Sequence, residues 1–276
     1  SVSLKDAVQF NWGFQAQTQA AGTPNEVGIG AFIPITVSSN SVWFIDALAN
    51  VNLADISNSS SLLNTEVAGT TISTSTRMGY RWLNANRSWL YGVNIGYDSR
   101  PLVTGQSDTG ISVSNSQTVL FQQVAASIEA VSDSWNLNAY ALVPVGITQA
   151  ALNNVYTGSA VDTFGVDVGY SISPDLRTSV GYYYQSANGN LNSSGVLGRL
   201  AYDISDGLTI GTSLSYDNSF GSRFSADVKY RFGRSGYASP SKHKPMLPLV
   251  VQAAASTPTQ RNVRVGDPCA LDVYCP

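Results

Sequence analysis

The stretch RFSADVKYRF, Arg223 to Phe232, alternates without a break over its ten residues. Phe224, Ala226, Val228, Tyr230 and Phe232 share one face, and Arg223, Ser225, Asp227, Lys229 and Arg231 share the other. Side chains of a strand point to opposite faces in turn, so this is a strand with one apolar and one polar side. Its length suits a tilted strand that crosses a bilayer.

The same period recurs upstream. Leu208, Ile210, Thr212, Leu214 and Tyr216 oppose Thr209, Gly211, Ser213 and Ser215. Leu176, Thr178, Val180, Tyr182 and Tyr184 oppose Arg177, Ser179, Gly181, Tyr183 and Gln185. Phe164, Val166, Val168 and Tyr170 oppose Thr163, Gly165, Asp167 and Gly169, and Trp89 to Tyr97 oppose Leu90, Gly92, Asn94, Gly96 and Asp98. The polar face is rich in Gly, Ser and Asn rather than Lys and Glu. Small residues suit the inside of a closed barrel, where opposite walls meet. The aromatic strand ends Trp89, Tyr97, Tyr170, Tyr184, Tyr216 and Phe232 match girdles at the two lipid interfaces. The surrounding medium is therefore expected to be outer-membrane lipid.

Composition agrees. Only 12% of the 276 residues are charged, against roughly 25% in an average soluble domain. Mean hydropathy is −0.01, which excludes a bundle of membrane helices. Met246 to Ala255 is too short to span. Apolar content is ample to bury a surface, which argues against disorder. Residues 1–233 hold 10 Lys+Arg and 16 Asp+Glu, whereas residues 234–276 hold 5 and 2. No clustered basic face marks a nucleic-acid partner.

Twelve strands are expected, at 8–20, 26–37, 41–53, 70–83, 88–98, 118–131, 135–148, 161–172, 176–187, 194–204, 207–217 and 222–232. The fold class is then all-β, a transmembrane antiparallel up-and-down β-barrel over residues 1–232. A Pro/Ser/Gly-rich non-barrel extension follows over 233–276. Short turns alternate with long loops, as in barrels with turns on the periplasmic side. Pro34 and Pro144 each cost a ladder bond, which predicts a bulge or lost pairing there. The opening SVSLKDAVQF has neither basic nor apolar leader character, so Ser1 is expected to follow a removed signal peptide. The location implied is a bacterial outer membrane.

Longer matches add a resemblance. FSADVKYRF resembles the C-terminal insertion signal of outer-membrane proteins. RMGYRWLNANRSWLYGVNIGYDSR, QQVAASIEAVSDSWNLNAYALVPVG and WFIDALANVNL resemble barrel hairpins and an early strand of the inverse autotransporters, the intimin and invasin group. That resemblance implies a twelve-stranded barrel. The family follows its barrel with a long secreted passenger, whereas 44 residues follow Phe232 here. Membrane, barrel and topology are implied, but not adhesin activity.

Catalysis is not expected. The one histidine, His243, lies in the tail, and no triad, His-rich metal site or phosphate loop can be built around it. No cofactor is implied. The inward face offers Arg77, Arg81, Arg177, Arg199, Arg223, Lys229 and Arg231 with Asp46, Asp98, Glu129, Asp167, Asp203 and Asp227. These charges either set a transverse field that screens solutes or pair across the wall and stiffen it. Cys269 and Cys275 suit a local disulfide in an oxidising compartment.

Three functions fit. The leading one is a porin-like channel for small hydrophilic solutes, plugged or gated by the extension. The second is a membrane anchor or adhesin-like barrel whose tail or outer loops bind a partner protein. The third is a homo-oligomeric unit of a surface array. In all of them the extension engages either the lumen or a partner.

Overall fold

The computed structural model describes residues 1–187, 191–233 and 247–268. Alternation becomes twelve strands: β1 (Asn11–Gln17), β2 (Asn25–Val37), β3 (Ser41–Leu53), β4 (Thr71–Leu83), β5 (Leu90–Leu102), β6 (Val119–Val131), β7 (Trp135–Val145), β8 (Asp162–Ser171), β9 (Leu176–Ala187), β10 (Leu191–Ser205), β11 (Leu208–Asp217) and β12 (Gly221–Phe232). Each pairs antiparallel with its sequence neighbours. β1 closes onto β12, with Trp12 opposite Phe232 and Gln17 opposite Asp227. A closed barrel leaves no unpaired edge, which lipid requires because it offers no hydrogen bonds.

Several strand ends differ from expectation by a few residues, those of β1 and β5 among them. β1 stops at Gln17 because residues 18–24 turn back, with Ala20 bridged to Thr23. β5 runs on to Leu102: Arg100, Pro101 and Leu102 stay in register with Phe121, Leu120 and Val119. Pro34 sits at a register shift against Phe44 and Trp43. Pro144 stays paired with Gln123 of β6, while the β7–β8 ladder ends at Leu142 and Thr163. A bulge in one case and lost pairing in the other match the cost of a missing N–H.

The apolar face points out. Val180, Ile95, Leu214 and Phe224 stand on the exterior, each more than half exposed to the surrounding medium. Tyr97, Tyr170, Tyr184, Tyr216 and Phe232 also face outward. Trp89, just before β5, stacks parallel to Tyr91 at 6.5 Å. The aromatic belt is densest at the turn end. There Trp12 stacks on Phe232 at 4.8 Å, Trp43 meets Tyr80 at 4.6 Å, and Trp135 meets Tyr170 at 4.9 Å. Amphipathic rings favour the headgroup level, which fixes the height of this rim.

Inward glycines make room for large neighbours. A methyl at Gly79 would strike the Phe44 ring, at Gly92 the Glu129 carboxylate, at Gly195 the Tyr183 ring, and at Gly211 the Arg199 guanidinium. In each case a long side chain lies flat over the next strand. This is why the polar face reads as Gly alternating with bulky or charged residues.

Two apolar clusters close the ends. At the turn end, helices α1 (Leu4–Ala7) and α2 (Leu249–Gln252) bring Leu4, Val8, Val250, Val251 and Ala254 onto Phe32, Val42, Phe44, Leu83, Leu90 and Val131. At the loop end, Leu62, Val67, Leu102, Val119, Phe121, Leu152, Ala160, Val263 and Val265 pack together. Short strands there pair Thr65–Val67 with Thr104–Ser107, and join Gln149–Ala151, Thr157–Ala160 and Val265–Gly266 into a cap.

Candidate functional site in the barrel lumen

Both end clusters contain residues from beyond Phe232, so the C-terminal segment joins one mouth of the barrel to the other. Its path follows from its partners. At the turn end the Val250 N–H donates to Asp133 Oδ1 at 3.0 Å. Higher, Arg81 of β4 donates from Nη1 to the Ser256 carbonyl at 2.7 Å and to the Ala254 carbonyl at 3.2 Å. Midway, Arg77 Nη2 donates to the Gln260 carbonyl at 3.2 Å. Gln123 Nε2 donates to the Asn262 carbonyl at 3.1 Å, and Arg100 Nη1 to the Val263 carbonyl at 3.1 Å. At the loop end Val265 pairs with Ala160 and its N–H donates to the Gly22 carbonyl at 3.1 Å.

An extended segment cannot satisfy its own backbone. Inside a barrel, each buried N–H or C=O needs a partner from the wall or from water. Here arginines and glutamines of β4, β5 and β6 reach in and meet the carbonyls.

The segment answers with Arg261. Its guanidinium is ion-paired with Asp46 of β3, and its Nη2 donates to the carbonyls of Asp46 and Ser75 at 3.2 and 3.1 Å. Nε donates to Ser75 Oγ at 2.6 Å, and Thr257 Oγ1 donates to Asp46 Oδ2 at 2.7 Å. Both charges are almost wholly buried, at 5% and 0% exposure. Beside them Arg77 and Asp98 form a two-pronged pair at 2.8 and 2.9 Å, also buried. Buried charges persist only when paired and hydrogen-bonded, and these are.

At the loop mouth Asp267 accepts from the N–H groups of Leu63 and Asn64 at 2.7 and 2.8 Å and from the Thr65 hydroxyl. Burial pushes its carboxyl up to about 6, against the opposing pull of the Thr65 hydroxyl and the backbone N–H groups of Asn64 and Leu63.

All thirteen charged residues picked from the alternation lie on the inward side. They divide into two sets. Asp46, Arg77, Arg81, Asp98 and Glu129 belong to the wall that contacts the segment. Arg81 pairs with Glu129 across Gly92 and lies over the Phe44 ring at 4.3 Å. On the opposite wall Arg177 pairs with Asp203 at 2.7 Å, and Arg199 pairs with Asp227 across β11. Asp167 accepts from Gln260 Nε2 at 3.2 Å. Arg231 donates to Asn11 Oδ1 near the barrel seam. Arg223 reaches up to the Ser60 and Leu62 carbonyls. Lys229 is inward beside them.

Among the participants that escaped the sequence reading are Arg100, Gln123, Arg261 and Asp267. Arg100 lies just beyond the expected strand at 88–98. Arg261 and Asp267 sit in a segment with no periodicity. The excess of basic residues after 233 against an acidic barrel is a signal that could have found Arg261. Cys269, Cys275 and His243 lie outside the described residues.

No family model matches the sequence, and neither does a curated protein. Solved structures do match in fold. A chain described under “Unveiling the Mechanism Behind the in-meso Crystallization of Membrane Proteins” aligns over 94% of this chain and 100% of its own, at 10% identity and a TM-score of 0.64. That span exceeds the barrel residues alone. The KdgM porin aligns over 80% of this chain and 99% of its own, with 11% identity and a TM-score of 0.40. Outer membrane phospholipase A from Escherichia coli aligns over 84% and 99%, with 12% identity and a TM-score of 0.43. The expectation that this chain is no enzyme is corrected by the last of these. Barrels of this class include a phospholipase, so the fold and the missing triad pattern do not exclude catalysis. What the likeness shows is a fold: a closed twelve-stranded β-barrel of the outer-membrane type, with an outer wall built for lipid.

Proposed function

We propose that the protein is a bacterial outer-membrane anchor that holds its own C-terminal segment across the lumen. It carries that segment from the turn end to Asp267 at the long-loop mouth, as a relative of the inverse-autotransporter barrels would. The observation that carries this reading is the buried Arg261–Asp46 pair, because it ties the segment to the wall midway between the mouths. Apolar packing of Val250, Val251 and Ala254 below it and the Asp267 bonds above it fix both ends. In bacterial barrels short turns face the periplasm and long loops face outward. The partner is then whatever meets the emerging tail or the loops around it.

The test is an epitope tag placed after Pro276 in the full chain, probed with antibody on intact cells. The tag is expected to be reached without permeabilisation. A tag reached only after the outer membrane is opened overturns the reading.

A second reading is a porin-like channel in which the same segment is a plug. It is favoured by the partly exposed Arg199–Asp227 pair, which leaves polar wall accessible to water. A channel predicts solute flux whenever the segment withdraws. An anchor predicts none in the native chain.

A further inference from the structure

The inward side chains differ in exposure from one wall to the other. On β3 to β6, Asp46, Ser73, Arg77, Arg81, Asn94 and Gln123 are buried. On β9 to β12, Ser179, Arg199, Ser213 and Ser225 form one continuous row of directly opposed residues. Arg199 and Asp227 remain 33% and 24% exposed although they point into the barrel. Arg199 lies six residues from the lower end of β10, about 20 Å along the strand. Space accessible to water therefore lies at mid-membrane depth along this wall.

It does not open at the loop end. Tyr183, Gly195, Asp217 and Gly221 form an inward row two steps above, beyond Gly181, Leu197, Ser215 and Arg223. There the Tyr183 hydroxyl donates to Asp217 Oδ2 at 2.6 Å, and Asp217 Oδ1 accepts from the N–H of Phe220 at 2.6 Å. Arg264 of the tail lies over the Tyr183 ring at 5.2 Å. Tyr183, Asp217 and Phe220 are all buried. Among the described residues, the apolar contacts of the two short helices at the turn end are with β2 to β6.

We infer that the lumen is divided lengthwise into a dry half filled by the tail and a water-filled half-channel along β9 to β12. This half-channel admits small hydrated ions and polar reagents from the turn end and is shut at the loop end by Tyr183, Asp217 and Phe220. It is a property of the folded barrel with its tail in place, so it stands under either functional reading.

Single cysteines in the full chain, on a Cys269→Ser, Cys275→Ser background, test it. The probe is a cationic methanethiosulfonate, and a heat-modifiable gel shift verifies folding. Ser179→Cys and Ser225→Cys are expected to react about 100-fold faster than Ser73→Cys on the dry wall and Ser193→Cys above the gate. Adding Tyr183→Ala is expected to raise the rate at Ser193→Cys at least about tenfold while leaving Ser73→Cys unchanged. Equal rates at positions 179 and 73 would overturn the wet half. Equal rates at positions 193 and 225 without the Tyr183 change would overturn the gate. If Tyr183→Ala fails the gel test, the four single cysteines still decide both points.

Discussion

The two halves of the lumen wall carry similar charges and use them differently. On β3 to β6 the charges turn toward the tail: Asp46 takes Arg261, and Arg77, Arg81 and Arg100 take its carbonyls. On β9 to β12 they turn toward one another, Arg177 to Asp203 and Arg199 to Asp227. The first set is buried and the second is bathed. Alternation places a charge inward. What the charge then does depends on whether another chain segment is there to desolvate it. A buried charge that loses its partner is costly, whereas a half-exposed one is rescued by water.

That contrast can be broken at its strongest point. Asp46→Ala leaves the Arg261 guanidinium buried without its carboxylate, and is expected to weaken tail docking by about 3–5 kcal/mol. Limited proteolysis of the full chain would show it as cleavage within 247–268 while the barrel stays intact.

A smaller effect is expected at the loop mouth. Asp267→Ala strands the N–H groups of Leu63 and Asn64 and the Thr65 hydroxyl, at a cost of about 1–3 kcal/mol. Faster amide exchange at Leu63 and Asn64, with Arg261 contacts kept, would distinguish it from the Asp46 change.

The same mouth should respond to pH. Asp267 has its carboxyl raised from 3.8 to about 6, so its protonated form is the one folding favours. Its contribution is fully present below the unfolded value and is lost as pH rises through about 6. Protection of the Leu63 and Asn64 amides, corrected for intrinsic exchange, is expected to fall about tenfold between pH 5 and pH 7. Constant protection would contradict it.

The smallest effect belongs to the wet wall. Arg199→Ala removes a pair that is one-third and one-quarter exposed, and should cost no more than about 1 kcal/mol. Tail protection should not change. A loss comparable to that of Asp46→Ala would erase the distinction between the walls.

The barrel was legible because its rule is local. Each strand states its own inside and outside, so RFSADVKYRF and its relatives fixed strand number, direction and lipid face. Even the pairing of Arg199 and Asp203 with neighbouring strands was among the readings that alternation allowed. The tail was opaque for the opposite reason. Residues 256–264 have no adjacent strand of their own, so no period marks them. Their bonds reach to Asp46, Ser75 and Arg77, 183 to 215 residues away in sequence. Arg100 was missed because the expected strand stopped at residue 98, whereas the β5–β6 register carries through to Leu102. Charge was the only sequence-level trace of the partnership, and it named the segment without naming its residues.

Planar-bilayer conductance of the full chain beside a chain ending at Gly233 tests most directly whether the tail fills the lumen. The full chain is expected to be silent and the shortened one to conduct steadily. Equal, steady conductance from both would contradict a segment held across the barrel.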